Sequence, residues 1–483
     1  MAKDFIVAIE LGSSKITGMA GKKNPDGSIT ILAAASEDST SYIRKGVVYS
    51  IDKTTQGLSN IISKLKNSLQ ADITQVYVGI GGQSIHSVKN MVIKDLPMDA
   101  IVSQNMVNEL MDSNRNMTYP DYEIQDAITE EYKVDLQYQN DPVGIQASRL
   151  EGNFLNILWR RSFYRNLNKS FDNAGIAIAE TYLAPLVMAD NVLTEAEKRA
   201  GCVLVDLGAE TTNVSVYYRD KLRSIAVIPL GGDNITKDLE SLQMEACEAE
   251  RMKLKYSSAI TDVADIDPTA ILPIDSNRSV ESRRFIEVVE ARTLEIIENV
   301  KSFIPSEYID KLLGGIIITG GGSNMTNIEK AFREITGVEK IRIAKFVTLN
   351  INSKDSKPEL RHDGTMNTIL SLIARGDMNC AGNPFGNSLF DNQQFNAAFT
   401  TGTTNGTTTT QPNATTPHET EEERTKREEK ERIAKEEAER IKQEEETRKA
   451  KEEEERKKNS PIHRFFGSLK QFGRSLVEPE NNE

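Results

Sequence analysis

The sequence predicts an α/β fold of two similar halves sharing one nucleotide pocket, followed by a tail of different character. Three glycine-rich segments carry that expectation: AIELGSSKITG at 8–18, VLVDLGAETTNVSVY at 203–217 and GGIIITGGGSNM at 314–325. Each opens as an apolar, β-branched run, as a buried strand does, and then breaks into Gly with Ser, Thr or Asn. A strand that turns so tightly can aim backbone N–H groups at phosphates. The first two segments are strand–turn–strand units roughly 190 residues apart, with the third about 110 further on, an order that suggests a duplicated fold.

In the first segment, Ser13, Ser14 and Lys15 follow Gly12, so two hydroxyls and an ammonium would meet phosphate oxygens. Gly208, Thr211 and Thr212 form the matching loop of the second. Glu10 and Asp206 stand at the two strand ends, where a phosphate-bound Mg²⁺ needs oxygen ligands, and are the candidate metal-side and catalytic acids. Gly232, in IPLGGDNITKDL, belongs to the same set. The segment ACEAERMKLKYSSA at 246–259 reads as a helix with Glu250 and Lys253 on one face. Gly320, Gly321 and Gly322, with Asn324, offer a backbone that can lie flat against a base or ribose. No GxxxxGK[ST] motif occurs, so a P-loop enzyme has no support.

Composition narrows the class. About 390 of the 483 residues read as folded, enough for two α/β domains. Cys202, Cys247 and Cys380 are few and widely spaced, which suggests a reducing compartment without disulfides. MAKDFIVAIELG runs directly into the first strand, so no signal peptide is expected, and no run of about 18 apolar residues predicts a spanning helix. A net charge of −13 argues against general nucleic-acid binding. His86, His362, His418 and His463 lack metal-ligand spacing.

The order of the phosphate loops resembles the superfamily of actin, sugar kinases and heat-shock chaperones, which implies binding of ATP with Mg²⁺. In the chaperones the residues matching Glu250 and Lys253 contact ribose and adenine. The stretches RKGVVYSIDKTTQGLSNIISKL, QVYVGIGGQSIHSVKNMVIKDL and YKVDLQYQNDPVGIQASRLEGNFLNILW resemble the FtsA family of bacterial division proteins over roughly residues 4–385. That resemblance implies a first actin-like domain at 1–84 and 164–200 with an inserted subdomain at 85–163. It places a second actin-like domain at 201–231 and 311–386, with its own insertion at 232–310. Two departures bear on chemistry. Most relatives carry Asp where Glu10 stands, and Ala184, in GIAIAETYLAPLVMAD, occupies a place where cell-shaping bacterial actins carry a water-orienting Glu. Slow hydrolysis, below about 1 s⁻¹, is therefore expected, with ATP acting as a conformational and assembly ligand.

The tail has three expected parts. Residues 387–417, rich in Asn, Gln, Thr and Gly, read as a disordered linker. Residues 418–458 read as a charged helical spacer with i,i+4 pairs. At 460–477, Ile462, Phe465, Phe466, Leu469, Phe472 and Leu476 form a helical stripe with Arg464, Lys470 and Arg474 mainly off it, the pattern of an interfacial helix for anionic lipid. This also resembles the terminal membrane anchor of FtsA. The family further implies binding of the C-terminal peptide of FtsZ, the tubulin-like division GTPase, together with actin-like filaments, later division partners and residence on the cytoplasmic face of the membrane. The candidate peptide surface is SRRFIEVVEARTLEIIENVKSFI at 282–304. Ile286, Val289, Leu294, Ile297 and Val300 read as its core stripe, and Arg283, Arg284, Arg292 and Lys301 as cations for an acidic tail. Alternatives from other classes are a small-molecule kinase and an FtsA-like assembly protein of pilus machines.

Overall fold

The computed structural model describes residues 4–381, apart from 98–99, 263, 265–266, 268 and 354–357. The expected linker, charged spacer and amphipathic helix lie outside the described residues.

Two sheets repeat one plan. In the first half, the order is Ala177–Leu183, Gln75–Ile80, Ile6–Leu11, Lys15–Lys23, Ile29–Asp38 and Ile351–Ser353. In the second, Ile341–Ile343, Gly315–Thr319, Cys202–Leu207, Thr212–Tyr218 and Lys221–Ile228 follow the same sequence of neighbours. Each half joins three consecutive antiparallel strands to two parallel crossovers. The central strands IVAIEL and CVLVDL are buried on both faces except at Glu10 and Asp206. Continuous apolar runs are what strands covered on both sides require. The two acids are half-buried because each faces the space between the halves.

Helix Ile51–Leu69 covers the first sheet with Leu58, Ile61 and Leu65, while helix Asn367–Arg375 buries Ile369, Leu370, Leu372 and Ile373. Helix Ser282–Phe303 packs on the second sheet through Phe285, Val289, Ile296, Ile297 and Val300. Leu294 does not join that stripe as expected: it is 43 % exposed, because the buried face runs through Phe285, Val289 and Ile296 at helical spacing and leaves it outside.

The segment expected as an insertion in the first half contributes four strands and a helix. Strands His86–Asp95, Arg149–Arg160, Tyr122–Val134 and Gln137–Gln139 pack against helix Gln104–Arg115. Its hydrogen bonding runs to the other half: His86 pairs with Ala226, making one nine-stranded sheet with the second half. Arg223 Nη1 meets Glu130 Oε1 at 3.4 Å in a buried pair, and Lys89 pairs with Glu307 at 2.6 Å. The chain returns to the first half through helix Arg161–Asn173, whose Phe163, Leu167 and Phe171 enter the first core.

Candidate nucleotide-binding site

The two glycine loops have one geometry. Leu11 pairs with Ile16 and Leu207 with Thr212, so each hairpin encloses four residues. Gly12 donates its N–H to the Lys15 carbonyl at 3.1 Å, and Gly208 does the same to Thr211 at 2.9 Å. A Cβ at either glycine would lie 2.7 or 2.8 Å from that carbonyl, so no larger residue fits the turn. Among the described residues, no acceptor faces the N–H groups of Ser13, Ser14, Ala209 or Glu210. Four donors at two matching turns form a cradle for phosphate oxygens.

Glu10 and Asp206 occupy equivalent places, each one residue before the end of its strand. Burial, then the nearby charge of Asp206, push the Glu10 carboxyl up to about 7, against the opposing pull of Lys15 and a hydrogen bond from Thr368. Burial likewise raises Asp206, although Asn213 Nδ2 donates to its Oδ2 at 2.9 Å. Two neighbouring carboxylates, both raised by burial and one of them also by the other's charge, are relieved by a proton or a cation. Glu10 and Asp206 thus fit a divalent ion on the phosphates, with Lys15 beside them.

The other candidates divide by what already engages them. Ser13 is buried and accepts the Gly46 N–H at 2.8 Å, while Ser14 is exposed. Thr212 donates its hydroxyl to the Leu230 carbonyl at 2.8 Å, which commits it to holding its strand to the next loop, and Thr211 lies buried in the turn. Gly232 opens helix Gly232–Glu240 and donates its N–H to the Gly208 carbonyl at 2.9 Å. Lys253 Nζ lies 3.0 Å from the Gly232 carbonyl, 2.8 Å from Thr236 Oγ1 and 2.6 Å from Glu250. Glu250, Lys253 and Gly232 therefore meet in one cluster beside the second phosphate loop.

Gly320 has φ +83°, and a Cβ there would lie 2.4 Å from Asp206 Oδ1, so only glycine lets this backbone touch the carboxylate. Gly321 faces open space, with Thr365 the nearest neighbour at 3.7 Å. Asn324 Nδ2 is spent on the Asp363 carbonyl at 2.8 Å. Behind the loop, Leu207, Ile235, Ile296, Met325 and Phe332 line an apolar cavity of about 30 Å³. Donors at two matching turns and two neighbouring carboxylates are the groups that a nucleotide's phosphates and their ion would need.

The expected peptide cations are mostly engaged. Arg292 pairs with Asp238 through Nε at 2.6 Å and Nη2 at 3.0 Å, and also meets Glu295. Lys301 donates to the Ile335 carbonyl at 2.8 Å. Arg284 is exposed. Two site residues escaped the sequence reading. Asn213 is 7 % exposed and its Oδ1 has no donor; a Cβ built at Gly81 would sit 3.8 Å from both its amide and Ala184 Cβ. Thr368 bonds Glu10 from the first turn of the last helix. Asn213 shares its strand with Thr212 and Ser215, so polarity alone does not single it out.

Two family profiles match this chain: "Cell division protein FtsA" over residues 203–361 and "SHS2 domain inserted in FTSA" over 82–158. A cell division protein FtsA of Porphyromonas gingivalis is 32 % identical over 352 residues, covering 71 % of this chain and 74 % of its own. The chain belongs to the FtsA family of cell division proteins. FtsA of Neisseria meningitidis serogroup B is similar at 29 % identity, over 71 % of this chain and 88 % of that one. Among solved structures, the PilM–PilN type IV pilus biogenesis complex matches with TM-score 0.53 and 14 % identity, over 77 % of this chain and 98 % of that chain. That pilus likeness is one of fold. It agrees with the two-domain actin-like α/β architecture, and the family profile over 82–158 with an FtsA-type insert. Among the described residues, no helix is long and apolar enough to cross a membrane.

Proposed function

We propose that this FtsA-family protein binds ATP with Mg²⁺ in the cleft between its halves, polymerises, and ties FtsZ filaments to the cytoplasmic face of the membrane. The paired carboxylates Glu10 and Asp206, set at equivalent places on two matching phosphate loops, carry the nucleotide reading. Bound Mg²⁺ would neutralise phosphate charge there. Lys15 and the N–H groups of Ser13, Ser14, Ala209 and Glu210 would hold phosphate oxygens, and Glu250, Lys253 and Gly320 to Gly322 would flank ribose and base.

Hydrolysis is slow in this reading. Ala184 Cβ and the uncharged amide of Asn213 both lie beside Gly81; a methyl group takes no proton, and an amide orients water without removing its proton. Nucleotide then acts as a ligand that closes the cleft. The sequence at 460–477 supports membrane attachment, and Arg284 on helix Ser282–Phe303 is the open cation for an acidic FtsZ peptide.

Calorimetric titration of the full-length protein with ATP tests the nucleotide site. Binding should need Mg²⁺ for full affinity, and Asp206→Ala should weaken it by about tenfold or more. Equal binding by the variant would remove Asp206 from the site.

A further inference from the structure

A hairpin of the first half reaches the glycine loop of the second. Its strands are Ile43–Arg44 and Val47–Val48, and its turn is Lys45 at φ 51° and Gly46 at φ 71°. Two successive positive angles define the tight turn that suits a short hairpin. Gly46 donates its N–H to Ser13 Oγ at 2.8 Å, and Lys45 donates its N–H to Glu210 Oε2 at 2.7 Å. The Lys45 carbonyl accepts from Gln83 N–H at 3.0 Å. A single two-residue turn therefore touches the phosphate loops of both halves. The seat is close, since a Cβ at Gly46 would lie 2.3 Å from the Gly81 carbonyl.

Glu210 is held for this contact. Its other oxygen accepts from Lys237 Nζ at 2.8 Å, and its side chain is 18 % exposed. Burial opposes its charge, but the hydrogen bonds from Lys237 and from the Lys45 N–H outweigh burial and keep the carboxyl below the usual range. An ionised acceptor on a backbone N–H is worth more than a neutral one. Within the nucleotide reading it is the Glu210 backbone that faces phosphate, which leaves the carboxylate to the opposite half.

We propose that Glu210 and the Lys45–Gly46 turn form a latch across the cleft that sets how fast nucleotide leaves. The two halves must part for a nucleotide between them to escape, and parting them breaks the bond from Lys45 to Glu210. Glu210 is a positioning residue here: it touches the turn. The inference rests on the nucleotide-binding reading.

Two measurements on the full-length protein test it: amide hydrogen exchange over residues 43–48 without nucleotide, and stopped-flow release of a fluorescent ATP analogue with Mg²⁺. Losing one charge-assisted bond should speed both by about tenfold in Glu210→Ala, with Glu210→Gln in between because it keeps an acceptor oxygen. Lys237→Met, which releases the other Glu210 oxygen without touching the turn, should accelerate both in the same direction and covers the case of a poorly folded Glu210 variant. If the wild type binds the analogue and neither variant changes exchange or release, the latch is wrong. If the wild type binds no nucleotide under any condition, the nucleotide reading fails and the gating role falls with it.

Discussion

Glu10 and Asp206 confront one another at the ends of two equivalent strands, and this confrontation gives the protein a pH signature. The Glu10 carboxyl is raised from 4.5 to about 7. An acid raised on folding keeps its proton in the folded state where the unfolded chain has lost it, so stability present below about pH 4.5 is lost as pH climbs to 7. A shift of that size corresponds to about 3 kcal/mol. Asp206 acts in the same direction, whereas Glu197, Glu210 and Asp363 are held low and act at more acid pH. Nucleotide-free protein should therefore lose denaturant stability between pH 5 and 7.5, and Glu10→Gln should remove most of that slope. A slope unchanged by the substitution would contradict the coupling. At this scale, Glu10, Asp206 and their glycines were legible because strand, turn and acid are adjacent in sequence. Asn213, Thr368 and Glu210 were not, since their roles arise from contacts with residues 7 or more positions away across turns, helices or the cleft.

At the scale of elements, helix Ser282–Phe303 was legible as amphipathic, but the use of its charges was not. Arg292 reads as an exposed cation in one dimension; in the fold its guanidinium forks onto Asp238 and ties this helix to helix Gly232–Glu240. Charge reversal there has a structural cost. Arg292→Glu should lower unfolding free energy by about 1–3 kcal/mol, since it breaks a half-exposed bidentate pair and sets two carboxylates together. Adding Asp238→Arg should recover much of the loss, and full stability of the single variant would refute the pairing. Arg284 is the informative position for partner binding. Arg284→Glu should weaken the FtsZ C-terminal peptide by about tenfold in a fluorescence-polarisation titration while leaving the thermal midpoint in place; unchanged affinity would move the peptide site elsewhere on the helix.

At the scale of the whole molecule, the duplication was legible from the spacing of the glycine loops, and the two sheets repeat the same strand order. The docking of the inserted segment was not. It leaves and re-enters the chain within the first half, yet it hydrogen-bonds to strand Lys221–Ile228 of the second and buries Glu130 against Arg223. Pairing between remote strand edges depends on where the halves bring those edges, which no local pattern encodes. The proposed adaptor also draws on the sequence at 387–483: a stretch rich in Thr, Asn and Gly, a run of Glu, Lys and Arg, and aromatic and aliphatic residues at helical spacing beside cations. If the spacer at 418–458 sets the distance between filament and bilayer, shortening it with the anchor retained should narrow that gap in electron micrographs.

Co-sedimentation with anionic vesicles tests the tethering claim most directly. Full-length protein and a 1–459 truncation would each be spun with vesicles, with and without Mg–ATP and the FtsZ C-terminal peptide. The account predicts that only the full-length chain pellets with lipid and that it carries the peptide down. Equal pelleting of the truncation, or no pelleting of either chain, would contradict it.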